Sequence, residues 1–334
     1  NIYNSLKNVF QNLKKENSAN TAFVPIILLL LSIPLAYVLN SIALGILIIS
    51  VIIFYKKKQF SLQRNLIYPI ALYLLMALSF IWSIDKDSTL KALSKELALL
   101  LIPLAFLFMK NFTEEQKQKI IRFYSYGIFI FVIFYYLKAI IRFAMTQDTG
   151  VFFYHELVTK DVNAIHVSVY LSIAFFYFLR KHTKNIIDYI ALPSILAMIF
   201  LLSSKNIIAV FIVLLIVYTI FYLKVSRRMR VRNLIVFIAI VVSVGFLGKI
   251  RERFMIEYES NMSDSTVNDV IEGHGTVYNV SIRQAWTNEK FKQNDFFPGT
   301  AFRVYQFRIF KELVTEENVF FTGFGLNASY PKIK

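Results

Sequence analysis

Long apolar runs recur along most of the chain and are separated by short polar segments. A helix that crosses a bilayer needs roughly 20 apolar residues, since each residue adds about 1.5 Å to its length. Runs that approach this length predict nine membrane-spanning helices, at about 22–39, 41–55, 66–82, 90–109, 120–143, 163–179, 186–202, 206–223 and 231–248. The pattern predicts an all-α fold, a polytopic transmembrane helical bundle of about nine spans. Asn40–Ser41 is the only break between the first two runs and favours a tight helical hairpin.

Three regions follow from this pattern. Residues 1–21 are polar, lack a small-residue cleavage site, and are expected to be a cytoplasmic N-terminal segment rather than a signal peptide. Residues 22–248 form the bundle, and residues 249–334 carry eleven basic and eleven acidic side chains with many turn formers, as expected of a large periplasmic loop. Because the chain starts at Asn1 rather than Met and ends at Lys334 without a stop-like composition, we expect a fragment whose last loop is incomplete.

Apolar residues recur at helical spacing across Arg303–Glu317, near the end of this loop. They are Tyr305, Phe307, Ile309, Phe310, Leu313 and Val314. This spacing predicts an amphipathic helix that lies on the bundle or at the lipid interface.

Basic residues are distributed unevenly between the loops on the two sides of the predicted bundle. With the N-terminus inside, the five inside segments hold nineteen lysines and arginines, whereas the outside loops and adjoining helix ends hold seven. Cytoplasmic loops of membrane proteins carry such an excess. The formal charge of +16 is therefore interpreted as topology rather than nucleic-acid binding, with the protein in the bacterial inner (cytoplasmic) membrane.

Composition excludes several other classes of protein. A chain with 57% hydrophobic residues carries more apolar surface than one soluble core of 334 residues can hide. The absence of cysteine excludes disulfides and thiolate metal sites. The four histidines are scattered along the chain, so no metal site is expected. No P-loop, H-E-x-x-H or G-x-S-x-G motif is present, so no cofactor is expected.

Four polar residues near the predicted outer face are candidates for chemistry, because such groups are costly at membrane depth. His166 shares a helix face with Tyr170, and the pair serves either bundle packing or function. Lys205 either snorkels or has a function, and function is favoured because an outer helix end should be poor in positive charge. Arg283 and Arg303 lie among aromatic residues, and the planar guanidinium suits a diphosphate.

The alternatives for these two arginines are a lipid-headgroup anchor or an ion pair with an acidic residue of the loop, and one of these is favoured for Arg283. Arg308 follows Arg303 by five residues and is expected on another, solvated helix face.

Four stretches carry a family resemblance. They are Ser79–Lys86 (SFIWSIDK) with Lys95 and Leu99–Pro103 after it, Ile165–Tyr170 (IHVSVY), Leu201–Lys205 (LLSSK), and Pro298–Arg303 (PGTAFR) with Phe307, Glu312–Leu313 and Phe321–Gly325 (FTGFG) after it. With these stretches in this order, the sequence resembles the O-antigen ligase and polymerase family of bacterial envelope glycan enzymes. That family usually continues with more spans and a histidine late in this loop. His274 lies too early to match that histidine, so the general base is unassigned.

The resemblance implies transfer of a glycan from a polyprenyl diphosphate carrier to an acceptor hydroxyl at the periplasmic face, on lipid A-core or on another lipid-linked glycan. It implies that Arg303 and Lys205 bind the diphosphate, that Arg283 assists, and that His166 orients or binds the donor. It implies neither a metal nor a nucleotide sugar, and its partners are the donor, the acceptor and membrane lipids.

Several functions remain open from the sequence. A glycan polymerase or a protein O-glycosyl ligase of the same family would look nearly identical. A transporter of lipid-linked sugars would also need cations for a diphosphate, but more often has broken helices and repeated halves, and no repeat is evident here. A structural scaffold would tolerate joint loss of Asp85, His166 and Lys205 without a glycan phenotype.

Overall fold

The computed structural model describes residues 2–56, 60–61, 63–158, 162–181, 183–202, 205–223, 228–229, 231, 235, 255–256, 258–268, 276–317 and 319–332. The protein is mostly helical, which confirms the predicted all-α class. The helices are α1 (Ile2–Ala19), α2 (Phe23–Ser32), α3 (Tyr37–Ile53), α4 (Arg64–Leu78), α5 (Lys86–Lys95), α6 (Ala98–Phe108), α7 (Glu114–Thr146), α8 (Tyr154–Leu157), α9 (Ala164–Arg180), α10 (Ile186–Leu201), α11 (Lys205–Val217), α12 (Ile282–Thr287) and α13 (Gly299–Glu317).

Shorter elements complete the described structure. Thr149–Phe152 and Tyr330–Lys332 are 3₁₀ turns, and Tyr218–Tyr222 extends α11 as a π-helical turn. The strands β1 (Thr266–Val267), β2 (Tyr278–Asn279) and β3 (Asp295–Phe296) form a small sheet in which β2 pairs antiparallel with β1 and parallel with β3. The chain divides into two compact units, residues 1–73 with 96–235 and residues 74–95 with 236–334.

Helix α7 is the dominant element of the first unit. The Thr113 hydroxyl accepts a hydrogen bond from the Gln116 backbone amide, and the Gln116 side-chain oxygen accepts one from the Thr113 backbone amide, so the helix begins with a capping box. Its 33 residues span about 50 Å. Among the described helices it is the one long and apolar enough to cross a membrane, and only 28% of its most apolar 18-residue window is buried inside the protein.

Two of the other apolar helices follow the predicted runs closely. Seven shorter apolar helices of 10–17 residues occur in the described part of the chain. Helices α9 and α10 match the runs at 163–179 and 186–202 to within one residue. The ninth run, 231–248, lies almost entirely outside the described residues.

The core of the first unit begins where α2 packs against its neighbours. Phe23 and Ile26 of α2 are buried against Ala43, Leu47 and Val51, which lie four residues apart along α3. This spacing gives α3 one apolar face toward α2, while large apolar side chains on its other faces stay exposed.

The predicted hairpin at Asn40–Ser41 is wrong. These two residues lie inside α3, and the chain instead breaks between Ser32 and Tyr37. Pro34 lies in this break, where it has no backbone N–H to continue the helical ladder. The Pro34 carbonyl oxygen accepts a hydrogen bond from the Tyr135 hydroxyl at 3.4 Å.

The predicted fourth run, 90–109, is also interrupted. Helix α5 ends at Lys95, and α6 begins at Ala98 and extends for only 11 residues, or about 16 Å. Helix α5 belongs to the second unit, whereas α6 belongs to the first.

Helix α13 confirms the predicted helix in the C-terminal segment, whereas its position on the bundle or at the lipid interface stays a prediction. It packs against α12, and the small residues Ala285 and Ala301 are completely buried at their contact with Val280. Phe297 and Tyr305 pack around this contact, with ring centroids 4.8 Å apart. The C-terminal segment therefore has its own small apolar core.

Candidate functional site

Two of the four family-like stretches meet within the second unit. The indole Nε1 of Trp82 donates to the Thr322 carbonyl oxygen at 2.7 Å, and the Ile84 amide donates to the Phe324 carbonyl oxygen at 3.1 Å. We call this contact between residues 79–89 and 322–326 the junction. It joins segments about 240 residues apart and was not predicted from the sequence.

Buried hydroxyl groups complete the junction. The Leu326 amide donates to Ser79 Oγ at 3.1 Å, and the completely buried Thr89 hydroxyl donates to the Leu326 carbonyl oxygen at 2.8 Å. Ser83 Oγ lies 2.7 Å from Thr89 Oγ1. Because a buried hydroxyl without a partner is costly, these contacts fix the two segments against each other.

Glycine is required at position 325 for two reasons. Its φ angle of +101° lies in a region that side chains with a Cβ rarely adopt. A Cβ added there would also lie 2.8 Å from the Ser83 Cα atom. Gly323 has a φ angle of +59° but open space around it, so it is needed for its backbone conformation alone.

Asp85 begins α5 at the edge of the junction. Its carboxylate accepts hydrogen bonds from the Ser88 hydroxyl at 2.6 Å and from the Ser88 amide at 3.0 Å. The Ser88 side-chain bond, followed by the backbone bond, holds the pKa of the Asp85 carboxyl below its usual value. The charged carboxylate therefore serves as the helix cap here.

Arg303 lies exposed in the first turns of α13. It forms no ion pair with a carboxylate in the described part of the chain. Nearby on the helix, the Phe307 ring stacks on Trp286 of α12 with centroids 6.3 Å apart, and the Lys311 ammonium lies 5.6 Å from the Trp286 ring. Arg303 thus projects a guanidinium into solvent beside an aromatic pair.

Arg283 is engaged by an acidic residue of its own segment, one of the alternatives that the sequence favours. It pairs with Asp264, which also accepts a hydrogen bond from the buried Ser281 hydroxyl. Ser281 in turn caps α12 through the Gln284 amide at 3.1 Å. The Arg283 side chain remains 74% exposed, so most of its guanidinium is still accessible.

The solvated position predicted for Arg308 is wrong. Its side chain is only 15% exposed, because Nε donates to the Glu312 carboxylate at 2.7 Å and NH1 donates to the Asn288 carbonyl oxygen at 2.5 Å. Glu312 lies one turn further along α13 on the same face, so the sequence did contain the i,i+4 pair that signals this contact.

An apolar cavity of about 540 Å³ lies between α13 and residues 319–330. Its wall includes Tyr305, Ile309, Phe310, Leu313, Phe324 and Tyr330. Most of the predicted apolar face of α13 therefore lines this cavity. Arg303 is not part of this wall, but Gln306, about one turn later on α13, is part of it.

His166 and Lys205 belong to the first unit. His166 is exposed in the first turn of α9 and forms no hydrogen bond with any side chain that the structure describes. Tyr170 lies one turn further along, and its carbonyl oxygen accepts a hydrogen bond from the Tyr124 hydroxyl at 3.1 Å. Lys205 is the first residue of α11, and its side chain lies outside the described part of the structure.

The four predicted binding residues are therefore divided between the two units, with His166 and Lys205 in one and Arg283 and Arg303 in the other. The chain matches no protein-family model, no curated protein and no solved structure.

Proposed function

We propose that this protein is a multi-pass inner-membrane glycosyltransferase of the O-antigen ligase type. It moves a glycan from a polyprenyl diphosphate carrier to an acceptor hydroxyl, on lipid A-core, at the periplasmic face. The observation that carries the proposal is the junction, where Trp82–Ile84 and Thr322–Phe324, parts of two family-like stretches, bind each other. Stretches chosen for resemblance alone have no reason to be neighbours if the resemblance is accidental.

Membrane embedding is supported by where the apolar side chains lie. On α7, Ile130, Leu137 and Ile141 are each more than half exposed, and α3 and α10 also carry exposed isoleucines. In water, such a surface would be costly, whereas in lipid it faces a matching solvent. The nine-span bundle is the arrangement that accounts best for these helices together with the hydropathy of the whole chain.

The topology with a cytoplasmic N-terminus is supported by contacts between loops. Glu16 pairs with Lys119 at 2.6 Å, and the Gln63 amide donates to Asn111 Oδ1 at 3.2 Å. All four residues belong to segments predicted to be cytoplasmic. The junction likewise joins the outer end of the third predicted span, and the residues just after it, to the predicted periplasmic loop. Each of these contacts therefore lies at one face of the predicted bilayer.

The reaction requires a cationic site for its leaving group. The acceptor oxygen forms a bond to the anomeric carbon while the bond to the diphosphate oxygen breaks, and the hydroxyl proton passes to a base that is unassigned. The departing lipid diphosphate gains negative charge, which preorganised cations stabilise. Within the second unit we assign this role to Arg303, with Arg283 assisting. The donor-binding roles that the resemblance implies for Lys205 and His166, in the first unit, stay predictions.

The second unit offers features suited to such a donor. Arg303 is exposed and without an acidic partner among the described residues, and its helix neighbours Phe302 and Gln306 both line the apolar cavity. A lipid diphosphate combines an anionic group with a long apolar chain, so adjacent cationic and apolar surfaces match it.

The proposal is tested by the surface glycans of cells that lack the gene, with lipopolysaccharide resolved by chain length on a gel. A ligase predicts loss of all long-chain species and accumulation of lipid-linked polymer. A single repeat on core without polymer would instead identify a polymerase. A glycan profile that does not change when the gene is lost would contradict glycan transfer and favour a transporter or scaffold.

A further inference from the structure

A second cavity, of about 640 Å³, lies in the first unit between the start of α7 and the end of α9. Its wall combines four basic side chains and the Glu115 carboxylate with apolar side chains. The residues used below are Lys119, Arg122, Arg180, Lys181, Ile121 and Ile173. We call this cavity the basic groove.

The two lysines of the basic groove are held by carboxylates. The Lys119 ammonium lies 2.6 Å from Glu16 and 2.5 Å from Glu115. The Lys181 ammonium lies 2.5 Å from Asp188, which is completely buried. These pairs largely neutralise the lysines and fix the groove walls, so the lysines are not the groups available to a ligand.

The two arginines remain available. Both are exposed, and neither forms an ion pair with an acidic side chain that the structure describes. The Arg122 guanidinium carbon lies 6.0 Å from the Tyr126 ring, a contact that leaves its N–H groups free to bind an anion. Two guanidinium groups lining one cavity can donate several charge-assisted hydrogen bonds to a phosphate.

The apolar wall narrows the choice of anion. Ile121 is 41% exposed and Ile173 is 52% exposed, so the groove continues from its basic part onto apolar helix surface. A free phosphate would leave this wall in water, whereas a phospholipid would cover it with acyl chains. Both helix ends belong to segments predicted to be cytoplasmic, where anionic lipids are found and where basic pockets between helices bind their headgroups.

We propose that the basic groove binds the phosphate headgroup of an anionic phospholipid of the cytoplasmic leaflet through Arg122 and Arg180, with acyl chains along Ile121 and Ile173. The inference rests on the membrane embedding proposed above but is independent of glycan transfer. It can fail while the glycosyltransferase proposal stands, and the reverse is also true.

The test uses the full chain, purified in detergent and freed of phospholipid. Its thermal unfolding midpoint is measured as phosphatidylglycerol, phosphatidylcholine or inorganic phosphate is added. We expect phosphatidylglycerol alone to raise the midpoint, since a ligand that binds the folded state stabilises it. An Arg122→Gln, Arg180→Gln variant should need at least roughly ten times as much phosphatidylglycerol for the same rise in unfolding midpoint.

The matched control is an Arg64→Gln, Lys117→Gln variant, which removes the same charge from the same predicted side outside the groove. It should respond as the wild type does. An Arg122→Lys, Arg180→Lys variant should give an intermediate response if the glutamine variant does not fold, because it keeps charge but loses the bidentate geometry. An equal shift with phosphatidylcholine or with inorganic phosphate would overturn the proposal, as would a wild-type response from the glutamine variant.

Discussion

The indole of Trp82 donates its hydrogen bond to the carbonyl oxygen of Thr322, a residue 240 positions later in the chain. The sequence contains only two tryptophans, Trp82 and Trp286. In a Trp286→Phe background, the emission of Trp82 therefore reports directly on whether the junction is formed. This property makes the junction accessible to the first two experiments below.

Replacing Gly325 by alanine should open or strain the junction. The new Cβ would meet the Ser83 backbone and occupy an unfavourable φ angle, so we expect a loss of roughly 1–3 kcal/mol of stability. Gly299→Ala is the matched control, since it has open space and a helical position, and it should be nearly neutral. Chemical unfolding followed by Trp82 emission measures both, and equal effects of the two substitutions would contradict the assigned contact.

The cap at Asp85 should make the junction sensitive to acid. A carboxyl with a lowered pKa in the folded state contributes stability that is fully present above its unfolded pKa, about 3.9, and is lost as pH falls through the folded value. Ser88→Ala removes the largest cause of the lowered pKa, so the acid transition of Trp82 emission should move to higher pH. A transition that does not move would exclude Ser88 as the cause.

The Lys181–Asp188 pair should be strongly coupled. Asp188 is completely buried and also accepts a hydrogen bond from the Tyr126 hydroxyl at 2.7 Å, so removing Lys181 leaves a buried charge with one partner fewer. We expect Lys181→Met to cost roughly 2 kcal/mol or more, and Asp188→Asn to recover part of this loss in the double variant. The exposed Lys117–Glu114 pair is the control, and its coupling should be below about 1 kcal/mol. Equal coupling in the two pairs would contradict the burial described for Asp188.

The sequence contains no cysteine, so single cysteines can be introduced to test the topology without first replacing native ones. Lys117 and Lys290 are both exposed, and the proposed topology places them on opposite sides of the membrane. In intact spheroplasts, a membrane-impermeant maleimide should label Lys290→Cys but label Lys117→Cys only after lysis. Labelling of both before lysis would refute the proposed orientation.

Substitution of Arg303 should impair glycan transfer more than that of any other cation on α13. We expect Arg303→Ala to lower transfer in isolated membranes by at least about tenfold, and Arg303→Lys to be intermediate, since lysine retains charge without the planar fork. Lys311→Ala is the control on the same helix and should change transfer little. Variants are compared at equal protein level in the membrane, and normal transfer by Arg303→Ala would remove the diphosphate role.

Local patterns in the sequence predict the helices well. The six apolar residues from Tyr305 to Val314 recur at helical spacing, and this periodicity identifies α13. The break at Pro34 was missed because hydropathy continues unchanged through a proline, although its missing amide stops the helical ladder. The missing backbone amide of Pro34 is therefore the feature of the sequence that marks this break.

Long-range contacts were not predictable in the same way. Nothing in Trp82 or Thr322 alone indicates a partner 240 residues away, and Gly323 and Gly325 signal only a turn. The solvated position predicted for Arg308 is wrong because its burial depends on the carbonyl oxygen of Asn288, the residue directly after α12. Tertiary contacts of this kind decide the environment of a charged side chain, whereas helical position alone decides only its direction.

The close approach of Ser83 to Gly325 also constrains how this protein can diverge. A side chain at position 325 is excluded by the backbone of residue 83, and a bulkier residue at position 83 would press on the 325 turn. Relatives that keep this contact should therefore retain glycine at position 325 and a small residue at position 83. The pair offers a two-position signature by which distant members could be recognised, even where the apolar helices between them have lost all resemblance.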